Sequence, residues 1–143
     1  MRFLGILLAV ILGNLVSFGA WSQTPAAGTS FWLGFMSNSD DGPNDNLVVT
    51  ISAEFATSGT IEIPGQAWSQ VFYVDAQSCT QVSLPDGLAE VSSDQLVESK
   101  SIHIQSIGPV TVQALNYAES SADATRILPE TMLGTKYFAA SYQ

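Results

Sequence analysis

Residues 47–55 set the pattern of the chain: Leu47, Val49, Ile51, Ala53 and Phe55 alternate with Val48, Thr50, Ser52 and Glu54. A period of two puts the first set on one face of a strand and the second on the other, which predicts a half-buried strand. Thr57-Ser58-Gly59 reads as a turn, and residues 60–63 resume the alternation, so the two runs predict a hairpin. Pro64-Gly65 marks another turn, since proline pre-sets one turn position and glycine tolerates positive φ at the next. Residues 67–74 and 78–84 read as two more strands, and Pro85-Asp86-Gly87 breaks the pattern. Residues 90–98 are irregular and predict a loop or a short edge strand. Residues 102–105 and 110–115 flank Gly108-Pro109 and predict a second hairpin. Apolar residues nowhere hold helical spacing over a dozen positions. Short strands with turn signals at near-regular spacing predict an all-β fold, an antiparallel β-sandwich-like domain.

Parity along these strands sorts the aromatic residues. Trp68, Phe72 and Val74 share a face and are expected in the interior. Ser69, Val71 and Tyr73 face the other way, where an exposed aromatic can stack on a sugar or anchor a protein contact. That face is a candidate binding surface, with Trp32 as a further aromatic candidate.

The first residues change the picture of location. Arg2 precedes an apolar run over residues 3–16, and Ala20-Trp21-Ser22 offers small residues where a signal peptidase cuts. Residues 1–22 are therefore expected to be a signal peptide cleaved after Ser22, leaving a domain over residues 23–143. The alternative is an uncleaved anchor, which Asn14, Ser17 and the glycines of this run weaken. An exported chain, secreted or held at the cell surface, is the expectation, with no membrane contact after cleavage.

Charge narrows the partners. The chain has 13 acidic and 4 basic residues, a net charge of -9. Loss of Arg2 with the leader takes the formal charge to about -10, a field that repels nucleic acid and anionic membrane. Cys79 is the single cysteine. No disulfide can form within the chain, so the core must hold the fold. The strand context of Cys79 predicts a small buried or half-buried thiol.

Candidate chemistry is sparse. Asp40, Asp41 and Asp45 lie in the acidic segment of residues 38–46, and oxygen-rich turns of this kind can ligate calcium. The segment lacks the D-x-D-x-D-G spacing of the helical calcium loop, and the same residue types populate any exposed turn. His103 is the only histidine and alternates outward between Ile102 and Ile104. A serine triad needs a histidine oriented by an acid and reaching a serine, and no G-x-S-x-G elbow occurs. One histidine and one cysteine are too few for a typical zinc site. Catalysis is not expected, and no catalytic or cofactor-binding residue is assigned.

Two segments carry a resemblance. One is Gly28-Thr29-Ser30-Phe31-Trp32-Leu33-Gly34-Phe35-Met36. The other runs from Ala114-Leu115-Asn116-Tyr117 through Ser121-Ala122-Asp123-Ala124-Thr125 and Leu128-Pro129 to Leu133-Gly134-Thr135-Lys136-Tyr137. In this order, around Gly108-Pro109, they resemble the N-terminal domain of IgG Fc-binding proteins, over residues 28–143. The resemblance implies an exported, non-catalytic module of a bacterial secreted or surface protein. It implies no ligand residues and does not by itself imply antibody binding. It also implies that the domain runs on past Tyr137, so that residues 23–143 form its N-terminal part, with further domains of the same full-length chain beyond. Asp123 and Arg126 are expected to pair across a loop. The function expected is adhesion or binding, toward an extracellular protein or glycan. A structural spacer, or an accessory domain of a secreted hydrolase, is the alternative.

Overall fold

The computed structural model describes residues 26–37, 46–93, 95–118 and 121–136. The expected leader, residues 1–22, and Asp40, Asp41 and Asp45 lie outside the described residues, as does the run from Tyr137 onward. The described chain is all-β and antiparallel apart from one two-residue parallel pair and one short helix. Its strands are β1 (Gly28–Leu33), β2 (Phe35–Met36), β3 (Asn46–Ala53), β4 (Thr57–Ile63), β5 (Trp68–Val74), β6 (Ser78–Leu84), β7 (Glu90–Val91), β8 (Ile102–Tyr117) and β9 (Ala122–Ile127). The helix, α1 (Asp86–Ala89), follows Pro85, where the sequence pattern breaks.

Two expected hairpins are corrected. Residues 102–105 and 110–115 do not fold back on each other; they are the two ends of the 16-residue strand β8. Nor do β3 and β4 pair with each other. They run end to end along the same strand, β3 from Ala53 opposite Val110 to Asn46 opposite Tyr117, β4 from Gly59 opposite Ser106 to Glu62 opposite His103. The segment 54–58 faces the segment 107–109, so both turn signals become a shared crease with extra residues on one side. Glycine and proline mark a bulge as readily as a reversal, and proline inside a strand is tolerated at such a bulge. Side chains hold the crease: Ser106 Oγ donates to the Gly108 carbonyl at 2.7 Å, and the Gly108 N–H donates to Thr57 Oγ1 at 2.8 Å.

The true reversal lies at Pro64–Gln66, a 3-10 turn closed by Ala67 at φ 52. From it β4 and β5 zip together, then β3 and β6, with no slip in register from Ile63 opposite Trp68 to Leu47 opposite Leu84. This long hairpin is creased too, at residues 54–56 and 75–77, where the Gln77 N–H still reaches the Glu54 carbonyl. On the other edge of β8 lie β1 and β9. The result is one sheet creased into two halves. The first half orders β1, the start of β8, β4 and β5; the second orders β9, the end of β8, β3 and β6.

Parity explains why the crease makes a sandwich-like core. Ile102 and Ile104 before the crease share their face with Val110, Val112 and Ala114 beyond it; Ile61 and Ile63 share theirs with Leu47, Val49, Ile51 and Ala53. Phe72 and Val74 likewise match Val82 and Leu84. One continuous face of the creased sheet is therefore buried in a single cluster, with Phe31 fully enclosed. Phe55 is the exception: it falls in the crease rather than the strand, and is 69% exposed instead of interior.

Residues 90–98 contain β7, which pairs in parallel with β2 and is otherwise irregular. Glu98 organises that stretch. It binds Lys100 Nζ at 2.7 Å and accepts the N–H groups of Ser92 and Ser93 at 2.9 and 2.7 Å.

Candidate functional site

The outer face of the first half-sheet gathers side chains that sequence parity points away from the core. Tyr73 is 76% exposed on β5 and Val71 lies beside it, as the alternation over residues 67–74 requires. Phe72 and Val74 are buried and Trp68 packs partly against the core. Across the strands, Tyr73 is opposite Ser58 and Val71 is opposite Thr60, whose other neighbour is Gln105. Ser30 is the partner of Gln105 on the far side. Ile107, at the crease, is 85% exposed and stands over the same surface.

Two adjoining hollows follow this row. One, of about 570 Å³, runs between Ser30, Gln105, Thr60, Val71 and Ile107. The other, of about 360 Å³, lies between Tyr73, Ser58 and Ile107. They share Ser58 and Ile107, so they form one shallow groove across four strands.

His103 borders the groove and is not a plain surface residue. Trp32 and Glu62 are its cross-strand neighbours. The Trp32 ring stacks on the imidazole at 4.1 Å and 11°. His103 Nδ1 lies 3.1 Å from Glu62 Oε1, and Nε2 lies 3.2 Å from Ser30 Oγ. A serine, a histidine and a carboxylate thus meet in the order of a hydrolytic relay, without any local motif to announce it. The serine proton, however, goes elsewhere: Ser30 Oγ donates to Glu130 Oε2 at 2.8 Å. The cluster binds β1, β4, β8 and the 3-10 turn at Glu130–Met132 together. Sequence reasoning missed it because cross-strand and diagonal neighbours come from segments 41 and 73 residues away.

Other expected residues are placed as follows. Among the described residues no group of three or more His, Cys, Asp or Glu could hold a metal ion. Cys79 is exposed, a correction of the buried or half-buried thiol expected. It sits opposite Ser52 on the outward parity of β6, whereas Val82 and Leu84 take the inward one. Asp123 and Arg126 do not pair. Both belong to β9, where residues three apart point to opposite faces. Arg126 lines a groove of about 770 Å³ with Cys79, Phe55 and Glu54, while Asp123 lines a cavity of about 200 Å³ beside Asn116. Asn116 is buried; its Nδ2 donates to the Met36 carbonyl at 3.0 Å. Its Oδ1 meets no protein partner among the described residues, in a cavity with room for a water. No described helix is long and apolar enough to cross a membrane.

Compared with models of known protein families, with curated proteins and with solved structures, the chain matches none.

Proposed function

We propose that this chain is a non-catalytic binding or adhesion module, exported by its N-terminal leader, that recognises an extracellular protein or glycan through the outer face of the first half-sheet. The observation that carries the reading is the exposed row of Tyr73, Val71 and Ile107 along a groove floored by Ser58, Thr60 and Gln105. Apolar side chains set among a few polar ones are the usual make-up of a ligand surface, and tyrosine is enriched at such surfaces. A folded domain leaves large side chains on a sheet face at some risk of association, so their clustering there favours use over accident. The resemblance to the IgG Fc-binding N-terminal domain family belongs to the same reading, as does a place at the cell surface or in the secreted fraction, in series with further domains.

The test uses the intact chain against immobilised extracellular glycoproteins, immunoglobulin included, each presented before and after deglycosylation. The wild type is expected to bind at least one of them, and a Val71→Ala/Tyr73→Ala double variant with an unchanged melting temperature to lose that binding. A wild type that binds none, or a double variant that binds equally well, overturns the proposal.

A further inference from the structure

We infer that the groove on the first half-sheet takes a neutral, hydroxyl-rich oligosaccharide rather than a protein surface or a charged glycan. The inference rests on the reading of that face as the binding surface and names its ligand class. Its first support is charge. The chain has 13 acidic residues and 4 basic ones, yet among the described residues no carboxylate, ammonium, guanidinium or imidazole lines either stretch of the groove. Two carboxylates at the border, Glu62 and Glu130, are engaged by His103 and Ser30. A polyanionic glycan would meet a negatively charged molecule with no cation in the groove to offset the repulsion. A protein interface of this size draws on arginine for specificity, and no arginine lines the groove among the described residues.

The second support is the kind of polar group present. Ser58, Thr60 and Gln105 each both donate and accept hydrogen bonds. Sugar hydroxyls do the same, so every contact can be made in either sense without leaving a charge unpaired. Tyr73 supplies the third element: a ring exposed at one end of the groove, on which the apolar face of a pyranose can lie while its hydroxyls turn to the polar floor. The groove crosses from β1 to β5, three inter-strand spacings or about 14 Å, which suits a short oligosaccharide lying across the strands better than a single sugar.

The probes are neutral oligosaccharides (gluco-, manno-, galacto- and N-acetylglucosamine series) and, against them, oligogalacturonate and heparin, each titrated into the intact chain by calorimetry. At least one neutral series is expected to bind. Tyr73→Ala should weaken it about tenfold or more, as loss of one stacking anchor does, and Tyr73→Phe should largely retain it. Thr60→Ala serves as a second, conservative probe of the floor. Preference for the anionic probes, or neutral binding untouched by Tyr73→Ala, overturns the inference. Binding to deglycosylated protein that Tyr73→Ala abolishes, with no neutral sugar bound, also overturns it while leaving the binding-module reading intact. Silence toward sugars and proteins alike removes both.

Discussion

Gly59 shows how one small residue can fix a local arrangement. It lies opposite Phe72 in the β4–β5 pair, and the Phe72 ring and the Gln105 carbonyl occupy the space a Cβ would need. The phenylalanine covers the glycine, which closes a gap the missing side chain would otherwise leave in the sheet. Gly59→Ala must therefore push either a packed ring or the backbone of β8. It is expected to cost about 1–3 kcal/mol, the usual penalty of overpacking, read as a lower urea midpoint at unchanged slope. An unchanged midpoint would mean that the ring moves freely. The sequence offered Gly59 only as a turn residue. Its real role depends on Phe72, 13 positions on, being brought directly opposite by the reversal at Pro64–Gln66.

At the scale of the element, one carboxylate gathers both ends of the segment between β7 and β8. Lys100 and then the Ser93 and Ser92 N–H groups hold the Glu98 carboxyl below its ordinary range. Its folded value is depressed, so its contribution is present at neutral pH and is lost as pH falls through that lowered value. The Ser92 and Ser93 amide resonances are expected to move together with a midpoint below that of an ordinary glutamate, and to stop titrating in Glu98→Gln. A midpoint at or above the ordinary value would show that the loop is not organised this way. Elements were the level at which the sequence spoke most clearly. Residues 78–84 were bounded by their residue types and the break at Pro85-Asp86-Gly87, and the faces of residues 67–74 by their parity. What periodicity left open was connection. A Gly-Pro pair within a β pattern looks the same whether the chain reverses or only bends, and here β8 bends.

For the whole molecule, the consequence of the crease is that both half-sheets share one core. Ile104 in the first half and Ile51 in the second are each fully buried in the same cluster. Ile104→Ala and Ile51→Ala are each expected to cost about 2–5 kcal/mol. Each should also lower a single transition that tryptophan emission and far-ultraviolet circular dichroism report at the same midpoint. Trp32 and Trp68 both lie in the first half-sheet, so an earlier fluorescence transition in Ile104→Ala would show instead that the halves unfold separately. The same crease positions the proposed binding surface. It leaves Ile107 exposed beside the Tyr73 row, at the edge of the four strands that carry the groove.

By itself the sequence determined the class of the protein: β-strands with one apolar face, alternation that sends Tyr73 and Val71 outward and Phe72 inward, an acidic surface, and no disulfide within the chain. These follow from periods and counts, which are local. The tertiary structure alone decided which strands are neighbours. It made one 16-residue strand of an expected hairpin, exposed Phe55 and Cys79, separated Asp123 from Arg126, and built the Trp32, His103, Glu62 and Ser30 cluster from four positions with no common motif. The physical reason is that sheet contacts are set by register between distant segments. A change of partner leaves every local pattern intact while it rearranges every cross-strand contact.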